Sequence, residues 1–381
     1  MAIDRIVKPG LDGVVVAQTR LSSVDGEAGE LIIAGFPVEA LANRASFEET
    51  VYLLWNDRLP NTEQLADFRK ALINRRSIPS LALQVLEAAA RQKVSPMDVL
   101  RMVAGITDLD ETREDDNGMS AAVKLVASFP TIVAAYARML NQSEPIAPRP
   151  DLGHAANYLF MLSGKVPGPE QVRAMETYLN TVVDHGLNAS TFTARVIIST
   201  QSDLVSAIVG AVGALKGPLH GGAPGPALDL VFEIGEADRA ESVLREKFKR
   251  GERLMGFGHR VYRVRDPRAD VLAAACERLY QTEADMKLYE LSRHVERIAL
   301  RLLDEYKPGR KLQTNVEFYT ALLLHGLDLP TDLFTPTFAV SRVGGWLAHC
   351  FEQQKQNRLI RPDSEYVGVK NRRLLGSNFL F

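Results

Sequence analysis

From about residue 40 onward, apolar residues recur at helical spacing in one segment after another, whereas strand-like patterning is confined to the start of the chain. That imbalance excludes a fold built on an extended sheet and predicts a mainly α, multi-helical protein. Val14–Val16 and Leu31–Ile33 read as short strands around a turn-rich stretch containing Asp25-Gly26, so a minor N-terminal β region of hairpin type is expected. Helices are expected near 62–75, 119–141, 169–184, 189–200, 203–215, 238–250, 267–281, 285–306, 315–326 and 337–354. Ser46-Phe47-Glu48-Glu49 has the form of a capping box before Val51–Trp55, and Ser95-Pro96 supplies a cap followed by proline in the first turn. No fixed-period repeat divides the chain, and Gly221-Gly222-Ala223-Pro224-Gly225-Pro226 is its strongest internal break.

With 381 residues the chain is long enough for a large core and two domains. Its 45 basic and 47 acidic side chains leave a formal charge of −2, which argues against a nucleic-acid partner and places any anion binding on local arginines. Cys276 and Cys350, both in apolar helical patterns, argue against a disulfide framework or a thiolate metal site. Met1–Arg5 has no apolar signal core, and no uninterrupted apolar run approaches the roughly 20 residues that span a bilayer. A cytoplasmic protein with no membrane partner is expected.

The chemistry concentrates in Gly256-Phe257-Gly258-His259-Arg260-Val261-Tyr262-Arg263-Val264-Arg265-Asp266-Pro267-Arg268, where one histidine stands among four arginines just before a helix start. Planar guanidinium forks match carboxylate and phosphate oxygens, and a titratable imidazole beside them points to proton transfer on a polyanionic substrate. Two more histidines adjoin glycine at helix breaks, His185 in Asp184-His185-Gly186 and His220 in Leu219-His220-Gly221. His154, His294, His325 and His349 lie inside helical patterns and read as structural or surface residues.

These pieces, taken in order with Gly10-Leu11-Asp12-Gly13-Val14, Val24-Asp25-Gly26, Asn315-Val316-Glu317-Phe318-Tyr319, Phe334-Thr335-Pro336, Ser341-Arg342 and Arg361-Pro362, resemble the citrate synthase family over nearly the whole chain. The resemblance implies a large helical domain, 1–221 with 328–381, and a small helical domain, 222–327, with the active site between them. It implies condensation of acetyl-CoA with oxaloacetate. Glu317 then matches the base that takes the methyl proton, His220 the donor to the thioester oxygen, and His259 the group that polarises the ketone. His185, Arg268, Arg342 and Arg361 match residues that hold substrate carboxylates, Arg361 by reaching into the partner's site of a homodimer. Leu254, Met255, Gly256, Phe257 and Gly258 match the loop that contacts CoA, with Arg263 placed to meet its phosphates. No metal and no tightly bound cofactor is implied, because the CoA thioester is itself a substrate.

Two features leave alternatives open. Glu317 stands where many family members have Asp, which changes the reach of the base by one methylene. Asn188–Arg195 is also compatible with 2-methylcitrate synthase, which uses propionyl-CoA. A catalytically idle relative would be expected to lack the base, a site histidine or a carboxylate-binding arginine, and none is missing. A zinc site on His185, His220 and His259 would lack paired helical ligand spacing and would face repulsion from the neighbouring arginines.

Overall fold

The computed structural model describes residues 7–109, 118–221 and 224–372; Met1–Arg5 and the Gly222-Ala223 part of the internal break lie outside the described residues. Among the described residues, three short strands, β1 (Ser22–Asp25), β2 (Glu30–Ile33) and β3 (Phe36–Pro37), precede sixteen α-helices. The first ten helices are α1 (Val38–Arg44), α2 (Phe47–Asn56), α3 (Thr62–Ile73), α4 (Ser80–Arg91), α5 (Pro96–Ala104), α6 (Met119–Leu140), α7 (His154–Ser163), α8 (Pro169–Val182), α9 (Ala189–Ser199) and α10 (Leu204–Leu215). The remaining six are α11 (Pro224–Ile234), α12 (Ala240–Lys249), α13 (Pro267–Leu279), α14 (Glu283–Tyr306), α15 (Val316–Gly326) and α16 (Phe334–Lys355). The mainly α expectation holds, and each of the ten expected helical ranges coincides with a helix to within a few residues.

The β region differs from its expected form. The strands make one antiparallel sheet in the order β1-β2-β3, with Ser22 opposite Ile33 and Asp25 opposite Glu30. Leu31–Ile33 is a strand as expected, but its hairpin partner is Ser22–Asp25 and not Val14–Val16. A β-branched run forms a strand when it has a face to bury. Val14, Val15 and Val16 have none, being 38%, 87% and 42% exposed.

The core is centred on α6 and α16. Alpha-6 is long and apolar enough to cross a bilayer by composition, yet 83% of that stretch is buried within the protein. Alpha-16 packs against α2, α6, α8, α9 and α10, with Trp346 fully enclosed. Helices α11–α15 pack largely on one another, while α13 also lies against α1 and α8.

Local capping fixes several helix starts. Ser46 and Glu49 form the expected reciprocal box, Ser46 N donating to Glu49 Oε2 at 2.7 Å and Glu49 N to Ser46 Oγ at 3.3 Å. Ser95 Oγ accepts from Asp98 N. Asn188, Asp266 and Asn315 cap α9, α13 and α15 in the same way. Each of these three caps stands within three residues of a side chain that the sequence assigns to the site.

Candidate active site

One cleft of about 1040 Å³ collects His185, His220, His259, Arg268, Glu317 and Arg342, together with Leu254–Gly258. Two extended segments zip together to form part of its wall. Gly258 N donates to Gln313 O at 2.7 Å, Asn315 N to Gly256 O at 3.0 Å, and Asn315 Nδ2 to Gly258 O at 2.8 Å. Gly258 has φ +84°, a conformation that disfavours other residues. The zipper brings the His259 loop beside the capped start of α15, which carries Glu317.

The electrostatics of the three imidazoles follow from burial. His259 is lowered to about 4, by burial first and then by the Arg268 charge. Its Nδ1 accepts from Val261 N at 3.0 Å and Tyr262 N at 3.2 Å, two shorter contacts than the 3.5 Å between Arg268 Nη2 and Nε2, which favours a proton on Nε2 of the neutral ring. His220 is lowered to about 4 by burial and by Arg342. Its Nε2 accepts from Ser190 N at 3.3 Å, which favours a proton on Nδ1. Ser190 Oγ, 2.7 Å from the same Nε2, also accepts from Trp346 Nε1 at 3.0 Å. His185, with Nε2 3.1 Å from Tyr262 Oη, is pushed well below the usual imidazole range by burial, Arg268, His259 and Arg342. Three neutral imidazoles thus face the cleft near neutral pH.

The charged groups complement them. Arg268 is almost fully buried and donates to Asp266 through Nε at 3.0 Å and Nη2 at 2.8 Å. Asp266 also accepts from Val316 N at 3.3 Å, so one carboxylate orients Arg268 and the start of α15 together. Arg342 is buried over the Phe338 ring and donates through Nε to Val182 O at 2.6 Å. Among the described residues no carboxylate stands at ion-pair distance from Arg342. Burial lowers it to about 10, still charged at neutral pH. Glu317 is raised to about 7, burial outweighing the attraction of Arg268 and Arg342. A buried cation without a paired anion is a standing demand for an anionic ligand, and a carboxyl near 7 is matched to taking a proton.

Several expected residues lie elsewhere. Arg263 is exposed and does not line the cleft; its backbone N–H is drawn to Gly26 O at 2.8 Å, which holds that part of the loop against the β1–β2 turn. Arg265 is turned to Asp270 and Glu296. The loop therefore brings two of its four arginines, Arg260 and Arg268, to the cleft, and Arg253 joins them from just upstream. Arg361 is exposed on the C-terminal tail and lines no part of this cleft. Sequence reasoning missed Tyr262, Ser190 and Trp346; Tyr262 is the one with a local signal, three residues after His259. Among the described residues no group of three or more His, Cys, Asp or Glu side chains is placed to hold a metal ion.

The family model described as citrate synthase, C-terminal domain, matches residues 10–363. A citrate synthase from Haloferax volcanii is 41% identical over 96% of this chain and 97% of that protein. A 2-methylcitrate synthase from Mycobacterium tuberculosis is 40% identical over 97% of this chain and 93% of that one. The solved ternary complex of carboxymethyl coenzyme A and oxaloacetate with citrate synthase from Thermoplasma acidophilum superposes with a TM-score of 0.89 at 29% identity, covering 97% of this chain and 98% of that one. The chain therefore belongs to the citrate synthase family, enzymes of the acyltransferase type.

Proposed function

We propose that the protein condenses acetyl-CoA with oxaloacetate and water to give citrate and CoA. The observation that carries this reading is Arg342, buried in the cleft without a carboxylate partner, close enough to Glu317 to oppose the rise of its carboxyl. Arg268, Arg342 and His185 hold the oxaloacetate carboxylates, and His259 presents its Nε2–H to the ketone oxygen. Leu254–Gly258 contacts CoA largely through backbone. Glu317 takes a proton from the acetyl methyl while His220 donates to the thioester oxygen, so the enol forms with its charge shared. Attack of the enol carbon on the ketone forms the new C–C bond, and the alkoxide takes its proton from His259. Water then cleaves the thioester of citryl-CoA, releasing CoA thiol and citrate.

In this reading residues 222–327 form a small domain and 1–221 with 328–381 a large one. The mutual packing of α11–α15 supports the division. His185, His220 and Arg342 then stand on one side of the cleft, and His259, Arg268 and Glu317 on the other, so oxaloacetate drawn to both sides closes it and excludes water before the enol forms. The buried free thiols Cys276 and Cys350 accord with a reducing cytoplasm.

Thiol release measured with oxaloacetate and either acetyl-CoA or propionyl-CoA tests the assignment. Higher kcat/KM is expected for acetyl-CoA. A propionyl preference would move the activity to 2-methylcitrate formation, and no thiol release with either would reject the reading.

A further inference from the structure

His185 sits in the junction between α8 and α9, and both of its chain neighbours are tied into a buried polar chain. On one side Gly186 N donates to Ser22 Oγ at 2.8 Å, and the Ser22 hydroxyl donates a hydrogen bond to Asp184 Oδ2 at 2.6 Å. On the other, Asp184 Oδ1 lies 3.0 Å from His349 Nε2, with both side chains fully enclosed. Behind them Arg195 Nη1 reaches His349 Nδ1 at 3.1 Å and Glu352 Oε2 at 2.7 Å, and Arg195 Nε reaches Gln353 Oε1 at 3.2 Å. Arg20 N closes the chain on Glu352 Oε1 at 3.0 Å.

The donor inventory gives this chain a direction. A guanidinium only donates, so His349 Nδ1 accepts from Arg195 and the neutral ring holds its proton on Nε2, where it donates to Asp184. Burial alone would raise the Asp184 carboxyl, but His349, Arg342 and Ser22 bring it below the usual carboxylate range. Asp184 is therefore an ionised acceptor for two donors from opposite sides. Neither Asp184, His349 nor Arg195 lines the cleft, so none of them touches a substrate there. The same junction accepts Arg342 Nε at Val182 O, so it sets the position of a second cleft residue as well.

We propose that Asp184 and His349 are positioning residues for His185: the chain from Arg195 through His349 to Asp184 and Ser22 fixes the junction on which His185 is presented to a substrate carboxylate. This rests on reading the cleft as the oxaloacetate site. A purely structural role for the chain would lower stability on truncation without a selective effect on one substrate, whereas a positioning role acts through oxaloacetate binding.

The test uses the full-length protein with His349→Ala, His349→Gln and Asp184→Asn, measuring kcat, KM for each substrate, oxaloacetate Kd by calorimetry and Tm. His349→Ala is expected to raise oxaloacetate KM and Kd about tenfold, with kcat changed less than about threefold, the pattern of lost binding rather than lost chemistry. Gln places an amide N–H near the position of Nε2, so His349→Gln should recover most of the loss. Asp184→Asn keeps an acceptor for His349 but turns an N–H toward Ser22, and should raise oxaloacetate KM by a smaller factor. Folded His349→Ala protein with wild-type oxaloacetate KM, or a Gln variant no better than Ala, overturns the proposal. Where His349→Ala does not fold, an unchanged oxaloacetate KM in Asp184→Asn overturns it. Wild-type protein that does not bind oxaloacetate rejects the functional reading itself; wild type and His349→Ala binding it equally rejects only the positioning role.

Discussion

Burial acts in opposite directions on Glu317 and on the histidines around it. Removing a carboxyl from water favours its protonated form, and removing an imidazole favours its neutral form. With Glu317 near 7 and His220 and His259 near 4, the acid limb of kcat/KM in the free enzyme belongs to Glu317. A pH–rate profile should therefore fall below about pH 7. Glu317→Gln should lose about 10² to 10⁴ in citrate formation and in hydrogen exchange at the acetyl methyl together, while oxaloacetate still binds. The same substitution should change stability with the opposite sign. Between about 4.5 and 7 native Glu317 keeps a proton that the unfolded chain has lost, so its contribution declines as pH rises through that window and is unfavourable above it. The Tm of Glu317→Gln should exceed that of wild type at pH 8 and match it near pH 5. A gap independent of pH would show that the carboxyl is not raised, and near-normal methyl exchange in the folded variant would remove Glu317 from the proton transfer. Of the six side chains that meet in the cleft, His185, His220, His259 and Arg268 were readable from distinctive local settings, whereas Glu317 and Arg342 were legible only through the family resemblance. Tyr262, Ser190 and the Asp184–His349 pair were not, because their roles come from contacts between segments as much as 165 residues apart.

Among the elements, helix starts were the most legible because a cap is a local event: Ser46 with Glu49, and Ser95 before Pro96, act within one turn. Helices α1, α4, α7 and α11 carried no expected bounds. Alpha-11 begins inside the Gly/Pro cluster that local chemistry marks as a break, and its apolar face packs on α15; tertiary packing decides there what propensity alone does not. Packing also explains the α8–α9 junction. A Cβ at Gly345 of α16 would collide with the Val183 carbonyl, so the junction can lie directly on α16 only with glycine at that position. Gly345→Ala should push Val183 and Asp184 outward, destabilise the fold by about 1–3 kcal/mol as overpacked cores do, and raise oxaloacetate KM. Denaturant midpoints and steady-state kinetics check both halves; a stable variant with unchanged KM would mean that the junction relaxes without moving His185.

At the scale of the whole molecule, the C-terminal tail is secured at its root and exposed over residues 361–372. Asn357 Nδ2 donates to Ser199 O at 3.1 Å and Ile360 N to Ser199 Oγ at 3.1 Å, immediately before the exposed Arg361. Further on, Tyr366, Val367 and Val369 are 66%, 90% and 63% exposed, so the tail presents apolar surface that the described residues of this chain do not cover. A two-fold dimer in which each tail crosses to the other subunit would cover that surface and deliver Arg361 to the partner's cleft. Complementation separates this arrangement from a tail that serves only its own subunit. If Arg361 crosses, a heterodimer of Arg361→Ala and Glu317→Gln subunits contains one site with both defects and one with neither. Random re-pairing of equal amounts makes half of the dimers mixed, so about a quarter of wild-type activity should return from two nearly inactive proteins. If Arg361 stays in its own subunit, every site in the mixed dimer carries one defect. Mixed dimers verified by mass spectrometry, with activity no greater than the sum of the parents, would then exclude the crossing.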